Sequence, residues 1–231
     1  MVVVLKQNKM RSILVLFILI ISCNKDKNTP KVVNQNQIPV VEVVEQIAKK
    51  PELKLSKNFI LGKFNYRKDT SFVKVSGNHS SKTLYIKKEA YNSFVKMFKH
   101  AKSENINLKI ISGTRNFYEQ KSIWERKWER YINFKPLERA KKILEYSSMP
   151  STSRHHWGTD IDLNNLNNSY FEKGRGKKEY DWLVKNASLY GFFQVYVSKI
   201  NGRKGYNMER WHWSFIPLSE KYLKYYKKNI K

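Results

Sequence analysis

Apolar positions along the chain change their spacing from one stretch to the next, and the changes mark out elements. Between residues 88 and 104, Ala90, Tyr91, Phe94, Val95, Phe98 and Ala101 recur three and four residues apart, which predicts a helix with one buried stripe. Stretches 117–134 and 137–146 predict two further helices. The loop 147–154, with Pro150 and four serines, cannot easily continue the second of them. Strict alternation in Thr159-Asp160-Ile161-Asp162-Leu163 predicts a half-buried strand. Shorter runs bounded by polar turn residues, at 59–64, 71–75, 84–86, 108–112, 192–197 and 211–216, predict more strands. Residues 181–190 read as a helix stopped by Gly191, a typical place for a left-handed cap, and a basic amphipathic helix forms the tail. Strands mixed with helices, without regular strand-helix alternation, predict an α+β fold.

The pattern before residue 56 is different. Lys6, Lys9 and Arg11 precede an apolar run at 13–21, the layout of a secretory signal and too short to span a bilayer. The run ends in Ile20-Ile21-Ser22-Cys23, which resembles a bacterial lipobox, so residues 1–22 are expected to be a lipoprotein signal peptide and Cys23 the lipidated residue. Cys23 is the chain's only cysteine, which excludes an intrachain disulfide. Residues 23–55, rich in Asn, Gln, Lys and Pro, read as a flexible tether. That leaves 56–231 as one globular domain. A chain of 231 residues, 41% hydrophobic, buries one ordinary core rather than two. The expected place is the cell envelope, lipid-anchored to the membrane and facing the periplasm or the outside.

Charge adds a partner class. Lysine and arginine number 45 against 19 aspartate and glutamate, spread along the chain rather than gathered in one tail, which favours a broadly anionic partner. Nucleic acid and the bacterial wall polymer both satisfy that description. The exported N-terminus argues for the polymer.

The chemistry-bearing residues cluster in Ser153-Arg154-His155-His156-Trp157-Gly158-Thr159-Asp160-Ile161-Asp162 and Glu209-Arg210-Trp211-His212-Trp213. Two histidines and a carboxylate from distant segments suit a catalytic zinc, which takes three protein ligands and keeps one position open. Glu209, three residues before a candidate ligand, suits the base a hydrolase needs. The chain has no His-Glu-x-x-His helix motif. Lys173-Gly174-Arg175-Gly176-Lys177-Lys178 lacks the Walker spacing and reads as a solvated loop. Trp157, Trp211 and Trp213 read as core and pocket wall.

The order Ser-x-His, then Asp seven residues after the histidine, then Glu-x-Trp-His, resembles the VanY-type D-alanyl-D-alanine carboxypeptidases, of the superfamily that includes lysostaphin and the hedgehog signalling domain. The resemblance covers about 59–217. It implies a small antiparallel sheet carrying the zinc site, flanked by helices. It also implies Zn2+ on His155, Asp162 and His212, with Glu209 as general base. The segment Ile111-Ser112-Gly113-Thr114-Arg115-Asn116-Phe117-Tyr118-Glu119-Gln120 matches too, implying that Arg115 and Gln120 face the substrate, with Ser153 and, more weakly, Tyr206 adding hydrogen bonds. Arg115 also has a plainer reading, an ion pair with Glu119 one helical turn away. Asp160 departs from the family, which has a small apolar residue there. On a strand Asp160 and Asp162 point to the same side, so either could approach a metal. The family's spacing selects Asp162 and leaves Asp160 to orient a ligand histidine; His156 reads as structural or as a support behind the ligands.

The implied activity is removal of terminal D-alanine from peptidoglycan stem peptides by a monomer that does not bind nucleic acid. An L,D-carboxypeptidase, a D,D-endopeptidase on the same polymer, a non-catalytic zinc-containing envelope module and a metal nuclease are the competing readings.

Overall fold

The computed structural model describes residues 55–200 and 202–230. The expected signal peptide, Cys23 and the tether up to residue 54 lie outside the described residues.

The chain opens with a short helix, α1 (Lys57–Ile60), where a strand is expected at 59–64. Ser56 decides the outcome. Its side chain accepts the Phe59 N–H at 3.1 Å and caps the first turn, while the apolar residues that suggested a strand pack instead as an aromatic cluster, Phe59 against Phe64 and Tyr222. Strands β1 (Phe72–Lys74) and β2 (Tyr85–Lys87) then form an antiparallel pair. Helix α2 (Lys88–Ser103) follows directly and buries Ala90, Phe94, Met97 and Ala101; of the expected stripe Tyr91, Val95 and Phe98 are only partly buried, and Met97, outside it, is buried.

The second sheet holds the site. Its order is β3 (Ile110–Ser112), β4 (Asp160–Leu163), β6 (His212–Phe215), β5 (Phe192–Gln194), with every neighbour antiparallel. Alternation divides its central strands cleanly. Ile161, Leu163, Trp213 and Phe215 join α2 and α5 (Gly174–Asn186) in the main core. Asp160, Asp162, His212 and Ser214 take the other side. All four residues of β4 are buried, which corrects the half-buried expectation: its polar positions face a polar site, not water.

Helix α3 (Phe117–Arg130) starts at a capping box between Asn116 and Glu119, and α4 (Pro136–Leu144) starts with proline in its first turn. The segment 173–178, expected to be a loop, forms the opening turns of α5. Gly176 is needed there because a Cβ would stand 2.0 Å from the Tyr170 carbonyl oxygen. The helix ends at Asn186, a 3-10 turn (Ala187–Tyr190) follows, and Gly191 adopts φ 75° as its position predicts. The tail helix α6 (Ile216–Asn229) buries Tyr222 against Ile60 and Trp157.

Candidate metal centre and active site

His155 sits in a 3-10 turn, Arg154–Trp157, that ends at Gly158 with φ 71°. A side chain at Gly158 would meet Phe72 at 2.3 Å, and its carbonyl accepts the Lys87 N–H at 2.8 Å, which fixes the turn against the first sheet. The His155 Nδ1–H donates to the Gly113 carbonyl at 2.8 Å, leaving Nε2 free to ligate. Nε2 lies 3.4 Å from Asp162 Oδ1.

Strand pairing supplies the other two ligands, because register sets Asp162 of β4 directly opposite His212 of β6. His212 is turned the other way from His155. Its Nε2–H donates to Asp160 Oδ2 at 2.8 Å, and Nδ1 lies 3.1 Å from Asp162 Oδ1. The three candidate ligand atoms lie within 4.8 Å of one another, and all three residues are buried. Two imidazoles whose outward N–H groups are both occupied, plus one carboxylate, form a donor set that fits a tetrahedral divalent cation with an open position.

Asp160 belongs to the shell behind the ligands. It accepts from Arg154 Nε at 2.7 Å, from His212, and from the Thr159 and Ser214 hydroxyls at 2.9 and 2.7 Å. Burial pushes its carboxyl up, but Arg154 and His212 overcome burial and hold it well below the usual carboxylate range. His212 is raised for the same reason, burial opposing and the hydrogen bonds to Asp160 and Asp162 prevailing. His156 faces away from the cluster: Nδ1–H donates to the Arg115 carbonyl at 2.6 Å, and Nε2 accepts the Ser151 N–H at 3.1 Å.

Glu209 lies beside the cluster, Oε2 3.6 Å from His212 Nδ1. Its backbone is anchored to Tyr196, whose carbonyl accepts the Glu209 N–H at 2.9 Å. Burial pushes its carboxyl up to about 7, against the opposing pull of His212 and with Asp162 adding to the rise. Arg115 points into the same space. Its Nε donates to Gln120 Oε1 at 3.1 Å, Nη1 to Ser112 Oγ, and Nη1 stands 3.9 Å from Asp162. The alternative pair with Glu119 does not form; Glu119 is held by Arg67 at 3.0 Å and by Tyr66. The Gln120 amide, expected to face substrate, bridges Arg115 and the Ser148 carbonyl, so both its ends are engaged within the protein.

These groups open into a cavity of about 730 Å³ that Ser153 and Tyr206 also line. Sequence reasoning passed over Tyr196, whose ring lies 4.8 Å from that of His212 and 5.1 Å from that of Tyr206. It also passed over Arg154 and Ser214, the partners of Asp160. Only long-range pairing gives those residues their place; a basic residue beside two histidines was the one local signal for Arg154.

With this geometry in view, the sequence profile of VanY, D-alanyl-D-alanine carboxypeptidase, matches residues 83–218. The chain belongs to the VanY family. A relative from Bacillus subtilis (strain 168), named "Putative carboxypeptidase YodJ", is 30% identical over 138 residues, which cover 57% of this chain and 46% of that protein. The chain thus spans about half the length of this relative. Two solved structures share its fold at a TM-score of 0.54. One is the vancomycin resistance D,D-pentapeptidase VanY, as a mutant in complex with Zn(II), with 20% identity over 71% of this chain and 88% of that one. The other is the LD-carboxypeptidase LdcB, with 23% identity over 74% and 77%. Among the described residues no helix is long and apolar enough to cross a membrane.

Proposed function

We propose that this VanY-family protein is a zinc-dependent carboxypeptidase that removes the terminal D-alanine from peptidoglycan stem peptides. The observation that carries the reading is the convergence of His155, Asp162 and His212 with the Glu209 carboxylate beside them at one cavity wall. A structural zinc site takes four protein ligands, whereas this one offers three and sets a base next to the gap. Support for zinc comes from the donor set and from the similar VanY structure that holds Zn(II); support for the substrate comes from a similar structure, VanYB in complex with D-alanine-D-alanine.

In this mechanism His155, Asp162 and His212 would hold the cation, which supplies Lewis acidity at the scissile carbonyl. The Glu209 carboxylate takes the proton of the attacking water and returns it to the leaving amine of the last D-alanine. Its burial suits both duties, since a carboxylate whose proton affinity approaches neutrality can accept and release. Arg115, its guanidinium plane fixed by Ser112 and Gln120, presents a fork to the substrate's carbonyl or terminal carboxylate. Ser153 and Tyr206 border the same space and would hydrogen-bond the peptide. The lipid anchor at Cys23 and an envelope location remain part of the proposal, resting on the residues around the 13–21 run.

The test is Glu209→Gln assayed on defined pentapeptide, tetrapeptide and cross-linked muropeptides, with zinc quantified in the same samples. The variant should keep its zinc and lose turnover by about 10²–10⁴-fold. Wild-type cleavage of the tetrapeptide instead of the pentapeptide would move the assignment to an L,D-enzyme, and full activity of the variant would remove Glu209 from the reaction.

A further inference from the structure

One face of α3 lines the cavity. Gln120, Ile123, Arg126 and Lys127, at three- and four-residue spacing, all border it, and Lys82 borders it from the segment before β2. The cations deeper in the cavity already have partners: Arg154 pairs with Asp160 at 2.7 Å, and Arg115 is held by Gln120 and Ser112 beside Asp162. Lys127 is different. It is half-buried, forms no ion pair with a carboxylate among the described residues, and its Nζ donates only to the neutral hydroxyl of Ser147 at 2.5 Å. Arg126, next to it in sequence, and Lys82, which borders the same cavity, are exposed and likewise have no acidic partner among the described residues.

A half-buried ammonium facing a cavity loses part of its hydration, and an anion entering the cavity offers it the strongest compensation. The internal anions do not meet that need. Glu209 and Asp162 are occupied with the ligand cluster and Arg115, and Glu209 acts on Lys127 only across the open space. Lys127 stands seven residues along α3 from Gln120, about 10 Å by helical rise, a distance that two extended residues and one side chain can bridge. A peptide with its C-terminus at Arg115 would therefore bring a side chain, or the residue behind it, level with Lys127.

We infer that Lys127, with Arg126 and Lys82 adding positive charge on the border of the same cavity, forms a second anion subsite that receives a free carboxylate of the stem peptide upstream of the cleaved bond. The inference rests on the proposed peptidase reading and deepens it. Two groups on a stem peptide offer this chemistry: the α-carboxylate of a γ-linked D-glutamate, and the extra carboxylate of a diaminopimelate-type residue, which lysine lacks. The preferred substrate class is the free acid at one of these positions, not its amide.

The experiment compares kcat/KM on four pentapeptides: both carboxylates free, the D-glutamate amidated, the diaminopimelate amidated, and lysine in its place. Wild type should favour the free acid about tenfold over the derivative that removes the recognised carboxylate. Which derivative suffers identifies the source. Lys127→Met should bring that ratio close to one while still cleaving the amidated peptide, and Lys127→Arg should restore it. Circular dichroism establishes that the variants are folded. Calorimetric Kd values for the matching tetrapeptides, titrated into the wild-type protein, give the same ratio without turnover. No cleavage of any peptide strikes the proposed reaction, whereas equal kcat/KM and equal Kd across the series, or a ratio unchanged in Lys127→Met, overturns the subsite alone.

Discussion

Asp160 is the residue whose replacement tests the construction of the site most directly. It is fully buried and accepts four hydrogen bonds, with the N–H donors of Arg154 and His212 both on Oδ2 and the hydroxyls of Thr159 and Ser214 both on Oδ1. That division makes Asp160→Asn a clean perturbation. The amide oxygen can replace Oδ2 and keep both N–H donors, and the NH2 can replace Oδ1 because the two hydroxyls can turn to accept. Shape and hydrogen bonds survive; only the charge is lost. Exchanging two charge-assisted bonds for neutral ones costs about 2 kcal/mol. Asp160→Ala leaves the buried Arg154 guanidinium with neither counter-charge nor hydrogen-bond acceptor at this position, costing about 3–5 kcal/mol, or roughly 6–20 °C in Tm for a domain of this size. Both changes remove the anion that orients His212, so zinc affinity should fall about 10–100-fold. Melting of the metal-free proteins, and zinc Kd from competition with a chromophoric chelator, read the two effects separately. Wild-type zinc affinity in Asp160→Asn, or an Asp160→Ala protein that melts no lower than Asp160→Asn, would refute the argument.

Other perturbations address single contacts. Arg115→Lys keeps the charge but not the fork, so kcat/KM should drop about 10²-fold with zinc content unchanged; intact kinetics would exclude a bidentate role. Burial holds His156 neutral, down to about 4, while the unfolded ring protonates near 6.5, so the stability it contributes is complete above pH 6.5 and is lost as pH falls through that window, by ~3 kcal/mol in all. Urea unfolding at pH 7.5 and pH 5 should show this loss in wild type and a flatter dependence in His156→Gln; equal slopes would assign the acid sensitivity elsewhere. Gly158→Ala meets Phe72 and an unfavourable φ together and should cost about 2 kcal/mol or more, seen as a lower Tm.

What the sequence reveals and what it conceals follow from the range of the forces involved. The α2 helix is read correctly because helix spacing is local, but its buried face is turned from the expected one, with Met97 buried and Val95 only partly so, because the packing partner sets that face. The four residues brought together at the cluster are those whose motif order resembles the family's, and no local pattern could say which ring nitrogen of His155 or His212 turns inward. Alternation in β4 locates the strand but misjudges Asp160 and Asp162, because a period of two says that they share a side, not whether that side meets water or Arg154. The 59–64 error has the same root in reverse: aromatic residues suggested pleated packing, and one serine hydroxyl outweighed them. Tyr196 and Ser214 acquire meaning only from partners dozens of residues away.

The pairing of Asp162 with His212 spans 50 residues of sequence and one step of the β4–β6 ladder. A cation shared by these two side chains would act as a removable cross-link, adding a side-chain tie at the neck of a loop whose ends the ladder already pairs. That loop includes α5, Tyr196, Tyr206 and Glu209 itself. Stripping the ion would therefore do more than withdraw a Lewis acid: it would also remove one tie from the segment that delivers the base.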